Sequence, residues 1–126
     1  MLESSGLITI AFRQTFVESA VSRKGADLPN TPEQPLSAHW TTSPYCQIEP
    51  AMAYQIGLPS LILRERGVIA DGLLDRGIVG IYMPEFSLDI SPTDYLRSYE
   101  WTDLVGKWEG YVRAVVDARG TPPKLF

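Results

Sequence analysis

The stretch from residue 43 to residue 63, Ser-Pro-Tyr-Cys-Gln-Ile-Glu-Pro-Ala-Met-Ala-Tyr-Gln-Ile-Gly-Leu-Pro-Ser-Leu-Ile-Leu, constrains the fold of this chain more than any other. It reads as a polar loop, a helix, a tight Gly-Leu-Pro turn and a buried strand. Ile48, Met52 and Ile56 fall four apart, which places them on one helix face and predicts that this face meets the core. Glu49 lies one residue round from that face and is the only acid between Glu33 and Glu65. A helix that turns back through Gly57 into an apolar strand is half of a crossover unit. The question is whether the rest of the chain supplies the other half.

It does. Residues 6–12 (Gly-Leu-Ile-Thr-Ile-Ala-Phe) form a short, almost continuous apolar run, the pattern of a strand buried on both faces of a parallel sheet. Residues 58–63 repeat the pattern, and residues 77–83 (Gly-Ile-Val-Gly-Ile-Tyr-Met) give a third strand that Pro84 stops. Between the first two, residues 13–21 read as a short helix with Phe16 and Ala20 on one side. Residues 22–43 read as a long polar loop, because Pro29, Pro32 and Pro35 forbid a helix there. Residues 67–76 read as a short helix or a loop with one helical turn, and 85–95 as loop. Residues 98–119 carry the clearest helix, with Trp101, Leu104, Val105, Trp108, Val112, Val115 and Val116 as a stripe at three-four spacing, Ser98 as its cap and Gly120 as its stop. The last residues, 121–126, are expected to fray. Strand, helix, strand, helix, strand, helix in that order predicts an α/β fold with a short parallel sheet and flanking helices, within one domain spanning 1–126.

Composition narrows the function. Eleven basic and fifteen acidic residues give a net charge of −4, with no basic run, which argues against nucleic-acid backbone binding. No stretch approaches the ~20 apolar residues that span a bilayer, and the first residues lack the charged and apolar regions of a signal peptide. One cysteine, Cys46, rules out an internal disulfide and suits a reducing compartment, so the expected location is cytoplasmic. A metal site is not expected, since the single histidine, His39, and the single thiol have no regularly spaced companions.

Ser43, Glu49, Ala53, Tyr54, Gly57, Pro59 and the strand that follows resemble the core motif of the nucleoside 2-deoxyribosyltransferase-like superfamily, which is structurally related to TIR domains. The resemblance covers roughly residues 5–85. It implies a flavodoxin-like fold with the first two strands missing, because the run at 6–12 matches the family's third strand. It implies a transferase or hydrolase acting on the N-glycosidic bond of a nucleoside or nucleotide, with Glu49 as the catalytic carboxylate and no cofactor. Pro50 departs from the pattern: it either kinks the helix or starts it, and in the second case Glu49 becomes the N-cap.

Each candidate has a structural alternative. Glu49 stands where a carboxylate could reach an anomeric carbon, with Thr41, Thr42, Ser43 and Tyr45 as orienting hydroxyls, or it is a cap or a solvated helix residue. Trp40, Tyr45 and Tyr54 could stack a base, or they could be core and pocket wall. Cys46 and His39 lie seven residues apart across a loop, an unspecific spacing that fits an inert thiol better than a nucleophile. Residues 67–72 lack the spacing and the lysine of a phosphate loop. The 22–43 loop is either a lid over Glu49 or a surface loop with Trp40 pinned to the core. The alternative to an enzyme is an inactive nucleotide-binding or assembly module that keeps the scaffold. In either case the first strand has nothing upstream to pair with and carries no proline or charge, so a homo-oligomer through that edge and the adjoining sheet face is expected.

Overall fold

A computed structural model describes residues 4–25, 29–30, 32–75 and 80–118. In chain order the elements are β1 (Leu7–Ala11), β2 (Thr15–Val17), β3 (Ala20–Ser22), β4 (Gln34–Leu36), β5 (His39–Thr41), α1 (Tyr45–Gln55), β6 (Ser60–Arg64), a 3-10 turn (Gly72–Leu74), β7 (Ile81–Tyr82), α2 (Pro92–Leu96) and α3 (Tyr99–Asp117). The fold is mixed α/β. Its centre is a three-stranded parallel sheet in the order β1-β6-β7, with Leu7 opposite Ser60 and Leu61 opposite Ile81. β6 is the middle strand, and Ser60, Leu61, Ile62 and Leu63 are all buried. Burying a leucine or isoleucine contributes about 1.5–3 kcal/mol each, so this strand is the densest source of stability in the chain.

Each face of the sheet has its own helix, and the two helices meet where Ala53 packs with Val115. On one face α1 lays Cys46, Pro50 and Ala53 against β1 and β6. Cys46 joins Ala11, Ile62, Val68 and Leu74 in one cluster, and Ala53 joins Leu58 and Val115 in a second. On the other face Trp101, Leu104, Val105 and Trp108 of α3 close over Leu61, Leu63 and Met83. Trp108 donates its indole N–H to the Pro59 carbonyl at 3.1 Å. Gly6 permits this close approach: a Cβ there would lie 2.8 Å from Val112 Cγ2 and 3.0 Å from Trp108 Cζ2. α3 begins at Ser98, whose hydroxyl accepts from the Trp101 N–H at 3.2 Å, as the cap motif requires.

The turn between α1 and β6 follows from its sequence. Gly57 takes φ +75° just past the helix end. The Leu58 N–H bonds the Ala53 carbonyl at 2.8 Å and the Gly57 N–H bonds the Tyr54 carbonyl at 3.1 Å, the paired bonds of a Schellman cap. Leu58 and Ala53 supply its apolar contact. Pro59 then presets the chain for the strand.

Five expectations are corrected. Residues 13–21 hold β2 and β3 instead of a helix, and the 22–43 segment is not simply a loop. β2 pairs with β5 and β3 with β4, both antiparallel and in one register, from Thr15 opposite Thr41 to Ser22 opposite Gln34. Together they make a two-stranded ribbon interrupted at 18–19 and 37–38. Prolines exclude a helix but not an edge strand, and both strands of a ribbon are edges, so Pro35 fits opposite Val21. Thr15, Phe16, Val17 and Val21 prefer extended backbone once a partner strand exists. Third, residues 85–95 are not all loop, since α2 starts with Pro92 in its first turn, where a missing N–H costs nothing. Fourth, α1 buries Cys46, Pro50 and Ala53, leaving Ile48 and Met52 exposed. Fifth, β1 is covered on one face only: Thr9 and Ala11 are buried, whereas Ile8 and Ile10 are about half exposed. Residues 77–79 of the expected third strand and the 121–126 tail lie outside the described residues.

Candidate functional site

In a parallel sheet the loops beyond the carboxyl ends of the strands gather at one rim, where ligands of such folds bind. Here that rim holds the end of β1, the base of the ribbon, the start of α1 and the segment after β6. A depression of about 160 Å³ opens there, lined by Thr41, Thr42, Ser43, Pro44, Gln47, Val68, Ile69, Asp71 and Leu74. Its walls are tied together. The Trp40 N–H bonds the Gly67 carbonyl at 3.0 Å and the Ile69 N–H bonds the Trp40 carbonyl at 2.9 Å. The Gln47 amide donates to the Asp71 carbonyl at 2.7 Å and accepts from the Leu73 N–H at 2.7 Å. Both ends of that side chain are therefore committed to holding the 71–73 segment. Gly72 completes the clasp, with φ +56° and a position where a Cβ would stand 2.6 Å from Gln47 Oε1.

The candidate residues divide. Thr41, Thr42 and Ser43 line the depression. Ser43 Oγ accepts from the Tyr45 N–H at 3.2 Å, and Thr42 Oγ1 sits 3.7 Å from Cys46 Sγ. Trp40 lies behind it, packed on the core cluster of Ala11, Cys46 and Val68, with Phe16 5.2 Å away and the Arg13 guanidinium 5.6 Å from its ring centroid. Tyr45 and Tyr54 are exposed on α1. Glu49 is exposed in the second turn of α1 and does not line the depression. It does not cap the helix either: Pro44 holds that position and Pro50 sits inside the helix, buried. The residue that does reach into the rim from α1 is Gln47. Its position two residues before Glu49, on the other flank of the buried stripe, gave no signal because glutamine on a helix reads as solvated.

Cys46 is buried, and its thiol points to the Ile10 carbonyl at 3.8 Å. His39 Nδ1 lies 2.8 Å from the Ser37 carbonyl. Among the described residues two ion pairs stand at the rim. Glu65, 5% exposed, accepts from the Arg13 N–H at 2.8 Å and lies 3.7 Å from the Arg13 guanidinium. Arg64 bridges the Val68 carbonyl and Glu85. Among the described residues no three His, Cys, Asp or Glu side chains gather as a metal site, and no helix is long and apolar enough to cross a membrane.

A second depression is larger and of opposite character. It encloses about 310 Å³ on the α3 face of the sheet, between β1 and α2, with walls of Ile10, Phe12, Leu63, Phe86, Leu88 and Trp101 among others. It continues the uncovered row of β1.

Comparison with protein families, with curated proteins and with solved structures finds no match to this chain.

Proposed function

We propose that this chain is an assembly module: a flavodoxin-like α/β scaffold, akin to the deoxyribosyltransferase-like fold, whose working surface is the open side of β1. One observation carries the reading. β1 is an apolar strand paired on one side only among the described residues, and its uncovered row Ile8, Ile10 and Phe12 runs into the larger apolar depression. Edges of this kind are normally blunted by charge or proline, and LITIA has neither. The partner most in keeping with such a surface is another copy of the chain.

The enzymatic reading is weaker on the same geometry. Ala53, Gly57 and Pro59, which carry much of the family resemblance, each have a structural task here: a helix–sheet contact, a left-handed cap and a strand entry. Among the described residues no hydroxyl lies within hydrogen-bond distance of Glu49. The rim depression has about half the volume at which small-molecule sites begin, roughly 300 Å³. Calorimetric titration with nucleosides and nucleoside monophosphates, paired with a base-release assay, separates the two. The assembly reading expects no heat and no free base. Turnover that Glu49→Gln abolishes without lowering the melting temperature would restore the glutamate to a catalytic role.

A further inference from the structure

The open side of β1 carries more than an apolar row. Leu7 donates its N–H to Pro59 and Ala11 accepts from the Glu65 N–H, so these alternate residues direct their backbone groups at β6. By the same alternation Ile8 and Ile10 direct theirs at the free edge. Beneath that edge lies one flank of α1. Gln47, on one flank, reaches the 71–73 segment, which packs on the β7 side through the Tyr82 hydroxyl bonded to the Leu73 carbonyl at 2.7 Å. The opposite flank, with Tyr45, Glu49 and Met52, therefore faces the same way as the edge of β1, with Ile48 beside it towards the outer surface. Ile48 and Met52 were expected in the core and are exposed. One further group is unexplained: Thr9 is 5% exposed, and among the described residues its hydroxyl is the buried side-chain polar atom without a hydrogen-bond partner. Thr9 is the midpoint of β1.

From these four features we infer that two copies of this chain pair through β1, antiparallel, about a two-fold axis at Thr9. The inference rests on the assembly reading and names its partner and register. Ile8 of each copy stands opposite Ile10 of the other as a hydrogen-bonded pair, so the four outward N–H groups of these residues meet four outward carbonyls. Thr9 stands opposite Thr9 of the second copy as the non-hydrogen-bonded pair, where Cα atoms approach to about 4.5 Å and threonine hydroxyls bond across the strands. The unpartnered hydroxyl then has its partner on the axis. The result is a continuous six-stranded sheet. On its α3 face the isoleucine rows of both copies merge, and on the other face the free flanks of the two α1 helices come together.

The area is of the required size. Ile8, Ile10, Phe12, Tyr45, Ile48 and Met52 are between 43% and 66% exposed. At roughly 100 Å² apiece they present on the order of 600 Å² per copy, most of the ~800 Å² per partner of a specific interface and near the limit of what monomers leave open. The self-complementary register explains the second copy as occupant: the same strand supplies both sides of the ladder, as a two-fold contact demands.

Light scattering on the full chain at micromolar concentration, with amide hydrogen exchange read by NMR, tests this. The expected mass is twice 14.0 kDa, with Ile8 and Ile10 amides protected. Met52→Lys, at a position exposed in the single copy, should give a folded monomer whose Ile8 and Ile10 amides exchange freely while those of β6 stay slow. A wild-type monomer overturns the inference. If its Ile8 and Ile10 amides exchange freely, the edge is open and only the choice of partner has failed; if they are protected, the assembly reading fails with it. A dimer that survives both Met52→Lys and Ile10→Pro overturns the proposed register, since the proline removes an N–H directed at the edge.

Discussion

β1 and β6 are nearly the same kind of strand, five residues of mostly branched apolar side chains, yet one is closed on both faces and the other on one. Leu61 and Leu63 lie under α3, while Ile8 and Ile10, on the same face one strand away, are about half exposed. The difference is not in the strands. It comes from α3 being a single helix of about one helix width, enough to cover β6 and β7 but not three strands. Apolar content thus tells how much cover a strand wants, and the number of helices on each face tells how much it receives.

The comparison breaks first at Leu61. Leu61→Ala should cost about 2–5 kcal/mol in chemical denaturation, because the side chain is fully buried among Leu63, Met83 and Trp108. Ile8→Thr, on the open row, should cost under about 0.5 kcal/mol in a monomeric background, as surface changes do. Equal losses would mean that β1 is covered after all.

A smaller effect is expected at the joint holding α1 to the closed side. Gly57→Ala forces an alanine into φ +75° and should cost about 1–2 kcal/mol by the same measurement, with the spectrum of the folded state unchanged. A neutral result would show that the turn can rearrange without losing the contact between Ala53 and Leu58.

A further modest effect lies at the border of the two regions, at Tyr95. Burial, and secondarily the Glu100 carboxylate, raise its phenol above the usual 10.0. Its hydroxyl donates to the Pro84 carbonyl at 2.8 Å. The neutral form is favoured in the fold, so the unfolded chain ionises first. Stability should be unaffected below pH 10 and fall as pH rises from the unfolded value through the raised one. Tyr95→Phe should flatten that alkaline decline, at the expense of one hydrogen bond at neutral pH, about 1 kcal/mol. An equally steep decline in the variant would assign it to other groups.

The parallel sheet, α1, the Gly57 turn and α3 were legible because each is dictated by local chemistry: buried apolar runs, a left-handed glycine and a three-four stripe with a serine cap. The ribbon was not, because its two strands lie far apart in sequence and each is too short to show alternation. The face of α1 was misread for an instructive reason. Ile48, Met52 and Ile56 are the most apolar residues of the helix, but Cys46, Pro50 and Ala53 are the small, compact ones that let it lie close on the sheet. For the same reason Glu49, placed beside the supposed inner face, was expected near the rim, while Gln47 went unnoticed. The site was therefore legible only in its loop, at Thr41, Thr42 and Ser43.

The ribbon has one more consequence. It is inserted between β1 and α1, yet the two ends it connects are held together without it: the Gln14 N–H bonds the Thr41 carbonyl at 2.9 Å, and Thr15 faces Thr41. Beyond the Phe16–Trp40 pair, whose tryptophan packs on the core, the ribbon is a detour. The chain could travel a longer or shorter path there, or carry a foreign peptide at the far end, and the strand and helix at its root would keep their spacing, since closing a longer loop adds only about 0.6 kcal/mol per doubling of length. The scaffold thus has a built-in handle, a site where sequence can be exchanged freely while the sheet below it is left as it was.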